Sequence, residues 1–159
     1  MKATVGTFVF ALLAMGVFGT AGAEQSGGTN VGEELPPNVR VLLIQEMQAI
    51  LKASEQIQTA IVQGDHETVA QKAQAIHDSF IMEQQMTEAD KQALLAVVPE
   101  AFLERDQALH DLSEELAEAG RDQDTTRQLQ QFSEMIQGCV GCHSRHATAR
   151  FPGLSTSQP

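Results

Sequence analysis

Between residues 38 and 137 the chain carries only two glycines, Gly64 and Gly120, and one proline, Pro99. A sheet protein turns roughly every eight to twelve residues and recruits Gly and Pro to do so. Punctuation this sparse predicts long helices, and no sustained alternation of period two or internal repeat argues otherwise. Apolar spacing agrees. Leu43, Met47, Ile50, Ser54, Ile57 and Ile61 recur at intervals of 4, 3, 4, 3 and 4, the stripe of a bundle helix over residues 38–63. Gly64 ends that helix, and Asp65 caps a second one carrying Val69, Ala73, Ile76 and Phe80. Thr87, three residues before Asp90, resembles a capping box and starts a short helical piece. Pro99 opens a third helix as its first residue, with Phe102, Leu109, Leu112 and Leu116 inward and Gly120 as its stop. A fourth helix over residues 124–149 aligns Leu129, Phe132, Ile136, Cys139, His143 and His146, and Phe151-Pro152-Gly153 terminates it. The prediction is all-α: an up-down-up-down four-helix bundle.

The ends read differently. Lys2, an apolar run over 5–18 and the small-x-small sequence Ala21-Gly22-Ala23 make residues 1–23 a signal peptide. The run is shorter than the roughly 20 residues that span a bilayer, so no membrane span remains after cleavage. Residues 24–35, polar and Gly-rich, read as a disordered tether, 36–154 as the bundle domain and 155–159 as a tail. A net charge of −11 without a basic cluster argues against nucleic acid and anionic membrane surfaces as partners. Trp and Tyr are absent, and of seven Phe three lie in the leader. A core with so few flat side chains has room for a large flat cofactor.

Both cysteines fall within Cys139-Val140-Gly141-Cys142-His143, the C-x-x-C-H signature of covalent c-type haem attachment. At about 100° per residue, positions 139, 142 and 143 share an arc of roughly 100°. Two thioether links and an imidazole can therefore reach one porphyrin from one helical face, with His143 as the proximal iron ligand. Three readings compete. A redox disulfide expects a βαβ context, which is missing; a structural disulfide suits an exported chain; Cys139, Cys142, His143 and His146 have the types of a zinc site. Adjacent Cys142 and His143 on one helix make tetrahedral closure awkward. Export, motif and an aromatic-poor bundle together favour one covalent haem c and its iron.

With its leader, acidic helical chain and C-V-G-C-H on the last helix, the sequence resembles the cytochrome c prime superfamily of monohaem four-helix-bundle cytochromes. That resemblance covers roughly residues 36–154 in pattern, and only the 139–143 motif is sharply specific. It implies a bacterial periplasmic haem protein, not an enzyme, with thioethers at Cys139 and Cys142 and iron at His143. High-spin members leave the iron open behind an apolar residue and bind nitric oxide or carbon monoxide. Low-spin members coordinate a Met from the first helix and carry electrons. The resemblance also implies a possible homodimer through the first two helices. After His143 the chain departs from the family's lysine-rich tail, with Ser144-Arg145-His146 in its place.

Electron transfer is the leading expectation from sequence, and gas binding the alternative. Met47 is on the inward stripe near the height of His143 and is the candidate distal iron ligand. Met82 and Met86 are rivals, and without any Met ligand Leu43 or Ile44 lies over an open site. His66 reads as solvated, His77 and His110 as core-edge residues, and His146 as a helix-end cap or a contact to a haem carboxylate. Acidic runs such as Glu114-Glu115 with Glu118 read as a solvated face, or as attraction for a basic redox partner protein. No nucleophile–base arrangement, phosphate-binding loop or carboxylate pair stands out, so no catalytic residue is assigned.

Overall fold

The computed structural model describes residues 28–155. The leader expected over 1–23 and the tail beyond Ser155 lie outside the described residues. The helices are α1 (Val31–Glu34), α2 (Pro37–Gln63), α3 (His66–His77), α4 (Met82–Gln85), α5 (Glu88–Leu95), α6 (Glu100–Arg121), α7 (Thr125–His146) and α8 (Pro152–Ser155). The four expected helices are α2, α3, α6 and α7, and they form a four-helix bundle. Among the described residues the extended structure is one isolated antiparallel bridge, Asn30 to Ala147.

Local chemistry sets most of the boundaries. Gly64 closes α2 in the left-handed conformation, with φ 70°. The Asp65 side chain accepts the Thr68 N–H at the start of α3, and the Asp124 side chain accepts the Arg127 N–H at the start of α7. Thr87 and Asp90 form the reciprocal capping box of α5. Other boundaries moved. Pro99 precedes α6 as its N-cap instead of opening it. Gly120 does not stop α6, which continues to Arg121. Its role is proximity: a Cβ there would lie 2.7 Å from the Ala70 backbone nitrogen, so only Gly lets α6 approach α3 this closely. α7 ends at His146 and not at residue 149, because Ala147 leaves helical geometry to bridge to Asn30.

α3 packs along α6, α6 along α7, and α2 along α3, while α2 and α7 meet over only a short stretch. The bundle is thus closely packed on three sides and least closely along the α2–α7 seam. Its main core holds Ile50, Ile57, Val69, Ile76, Leu116 and Met135, with Met47, Phe80, Leu109 and Phe132 packed at the edge. A second apolar cluster of Val31, Leu35, Val39 and Val98 closes one end, against Leu43, Met86 and Phe102. Residues 28–35 are therefore a docked strap, correcting the expectation of a tether that runs to residue 35. Val31 and Leu35, four residues apart, are one face of a helical turn and are both buried, which polar composition alone conceals.

α3 ends at His77, short of Phe80, and the chain then turns through Ser79 at φ 59°. Buried Glu46 holds this turn. Its carboxylate accepts the N–H groups of Phe80 (3.0 Å), Ile81 (2.6 Å) and Met82 (3.0 Å). Removing it strands several donors away from water at about 1–3 kcal/mol each. Glu46→Ala should lower unfolding stability by about 3 kcal/mol, read from the urea midpoint, and Glu46→Gln, which retains an acceptor, by less. Equal midpoints for Glu46→Ala and the natural chain would show that the turn is held by packing.

Candidate haem site on the last long helix

α7 was expected to bury Leu129 and Ile136, and it does not. They are 56% and 40% exposed, whereas their neighbours Gln128 and Met135 are fully buried against α6. The face is shifted by one residue, about 100°. Gly141 marks the α6 side, since a Cβ there would lie 3.1 Å from the Arg105 guanidinium. Leu129, Ile136 and Val140 lie on the side turned away from it, toward the seam with α2. α2 shows the same asymmetry. Glu46 reaches the turn after α3 from one side of the helix; Ile44 and Leu51, 50% and 61% exposed, lie on the other. Apolar side chains thus flank an open seam on both of its walls.

Cys139 and Cys142 are half-buried free thiols on α7, Cys142 near Arg105 and Asp106 of α6, and His143 follows them in the chain. Burial pushes both thiols above the ordinary range, and for Cys142 the nearby Arg105 partly opposes this. Burial pulls the His143 imidazole below its usual value, so at neutral pH its lone pair is free for a metal. Its ring stacks on Phe151, with centroids 4.3 Å apart and planes 13° from parallel.

The other histidines are occupied. His77 Nδ1 donates to the His110 carbonyl at 3.0 Å, and His110 Nδ1 to the His77 carbonyl at 2.6 Å. Carbonyls only accept, so both rings carry the proton on Nδ1 and tie α3 to α6. His66 Nδ1 meets the Gln128 amide at 2.9 Å. His146 is buried at the end of α7, with Nδ1 3.3 Å from the Thr29 hydroxyl and its ring edge-on to Phe102. Among the described residues no three His, Cys, Asp or Glu side chains gather to hold a metal ion, so the zinc arrangement is not assembled. No disulfide joins the cysteines either.

The residues fit a haem. Two unpaired thiols and an imidazole share one arc of α7, and the same helix leaves Leu129, Ile136 and Val140 exposed. Arg40, on the first turn of α2, donates through Nη2 to the carbonyls of Glu33 and Leu35, while its Nε is buried without a partner among the described residues. A haem carboxylate would supply the missing acceptor. Sequence reading missed Arg40 and Glu46 because each lies in an otherwise apolar helix whose partners were not yet placed. Phe151 was expected as one of the few core aromatics and as part of a terminator, not as a partner of His143.

A helical bundle with C-x-x-C-H on its last long helix, beside an open apolar seam, is the framework of a covalent c-type haem protein. The family model described as Cytochrome C' matches residues 42–146, so the chain belongs to the cytochrome c′ family. Its cofactor is covalently bound haem c, and the two cysteines fit that attachment. No curated protein and no solved structure matched the chain. No helix among the described residues is long and apolar enough to cross a membrane.

Proposed function

We propose that this is an exported periplasmic haem protein whose iron binds a small diatomic gas, such as nitric oxide or carbon monoxide. Cys139 and Cys142 anchor the haem, His143 ligates the iron, and no side chain takes the sixth position. The observation that carries this reading is the arrangement of side chains on α2. Met47, the candidate distal ligand, is partly buried and packs at the edge of the main core, whereas the aliphatic Ile44 is left half-exposed. A thioether packed at the core edge must give up that contact to reach a metal. Bound haem supplies one iron that can take up a neutral diatomic ligand or an electron. The protein's part is to hold it on one side through His143, surround it with apolar groups and exclude competing donors.

A second reading, a low-spin electron carrier with Met47 as sixth ligand, draws on the acidic surface. Glu114, Glu115 and Glu118 are exposed on α6 and, with a net charge of −11, would attract a basic redox partner. The optical spectrum of the purified holoprotein separates the two. Gas binding requires a broad high-spin spectrum that changes on adding carbon monoxide; sharp split bands in the reduced state, indifferent to carbon monoxide, would establish the electron carrier.

A further inference from the structure

A metal-bound imidazole is usually oriented by a hydrogen bond from its other ring nitrogen to a carbonyl or carboxylate. His143 has none: neither ring nitrogen finds a hydrogen-bond partner among the described residues. What touches the ring is Phe151, nearly parallel to it at 4.3 Å. Phe151 itself is firmly placed. Its N–H donates to the Ala147 carbonyl at 3.0 Å, which folds the chain back onto the end of α7. The strap then fixes that fold. The Asn30 side chain accepts the Ala149 N–H at 2.7 Å, and the Thr29 N–H donates to the Arg145 carbonyl at 2.6 Å.

We propose that Phe151 is the positioning residue for the proximal ligand, setting the rotation of the His143 ring by stacking where a hydrogen bond would ordinarily do so. The idea rests on the reading of His143 as the iron ligand. Its geometry is compatible with ligation, because a ring nitrogen binds a metal in the plane of the imidazole while Phe151 covers the face. Offset aromatic stacking at this separation favours near-parallel rings, so rotation of the imidazole costs contact with Phe151. The strap residues Thr29 and Asn30 act through the same contact, by holding the turn that presents Phe151.

The test is electron paramagnetic resonance of the ferric holoprotein, whose line positions follow the orientation of the axial imidazole, with thermal melting recorded alongside. Phe151→Leu keeps an apolar side chain without a flat face; it should shift and broaden the lines while covalent haem content stays unchanged. Phe151→Tyr, which restores the face, should return them to the natural positions. Natural line positions in Phe151→Leu would overturn the proposal. So would a shift that Phe151→Tyr fails to reverse, since that marks a merely structural role. The ligand reading has its own arm: His143→Ala must alter the spectrum. If it does so while Phe151→Leu does not, only the stacking role fails; an unaltered His143→Ala spectrum removes the ligand assignment itself.

Discussion

Replacing Cys139 and Cys142 together by alanine should abolish covalent haem, seen as complete loss of haem staining on a denaturing gel. Each single variant retains one thiol and should stain more weakly than the natural chain. The double variant should also report how much the cofactor contributes to the fold. Leu129, Ile136 and Val140 on α7 and Ile44 and Leu51 on α2 stay exposed when the protein alone is considered. Covering half-exposed side chains of this size gains roughly 1 kcal/mol apiece, so losing the haem forfeits several kcal/mol. For a domain of this length that corresponds to a melting midpoint lower by about 10 °C or more. Haem staining that survives the double substitution would refute the attachment site. An unchanged midpoint would show that the seam is covered by something else.

The same seam explains which parts of the molecule could be read from sequence. The helices were legible because the chain states them locally: apolar spacing, few breakers, and caps at Asp65 and Thr87. The haem motif was legible because its chemistry needs a fixed spacing on one helix. What failed to show was long-range. Residues 28–35 look like a tether by composition, yet Val31 and Leu35 find a shared apolar slot formed by α2, the segment before α6 and the start of α6. Periodicity placed Leu129 and Ile136 inside the bundle, and the structure leaves both exposed. Periodicity counts only protein partners, however, and the structure buries Gln128 and Met135 instead. Gln128 occupies that position because its amide nitrogen finds the Ala119 carbonyl at 3.0 Å and His66 beside it. The one-residue offset leaves an apolar flank on α7 exposed among the described residues, a surface that a bound cofactor would cover.

That offset also bears on the sixth position of the iron, where the largest spectroscopic change is expected. On α2, Ile44 and Met47 differ by three residues, or about 60° around the helix. Both are within a turn of each other, so height along the axis does not discriminate between them; direction does. Met47 lies nearer the buried face and packs with the cluster containing Ile50 and Met135, while Ile44 lies nearer the exposed flank. Three consequences follow for the holoprotein. The natural chain should be high-spin and bind carbon monoxide in its ferrous form. Met47→Ala should leave that spectrum in place and cost about 1–2 kcal/mol of stability, less than truncation of a fully buried side chain does. Ile44→Met, which puts a thioether on the seam side, should convert a substantial fraction to a low-spin form and weaken carbon monoxide binding at least tenfold, because the gas must displace an internal ligand worth at least 1.4 kcal/mol. If instead the natural chain is low-spin and Met47→Ala opens it to carbon monoxide, the thioether leaves its core packing to bind iron. The electron-carrier reading then replaces gas binding.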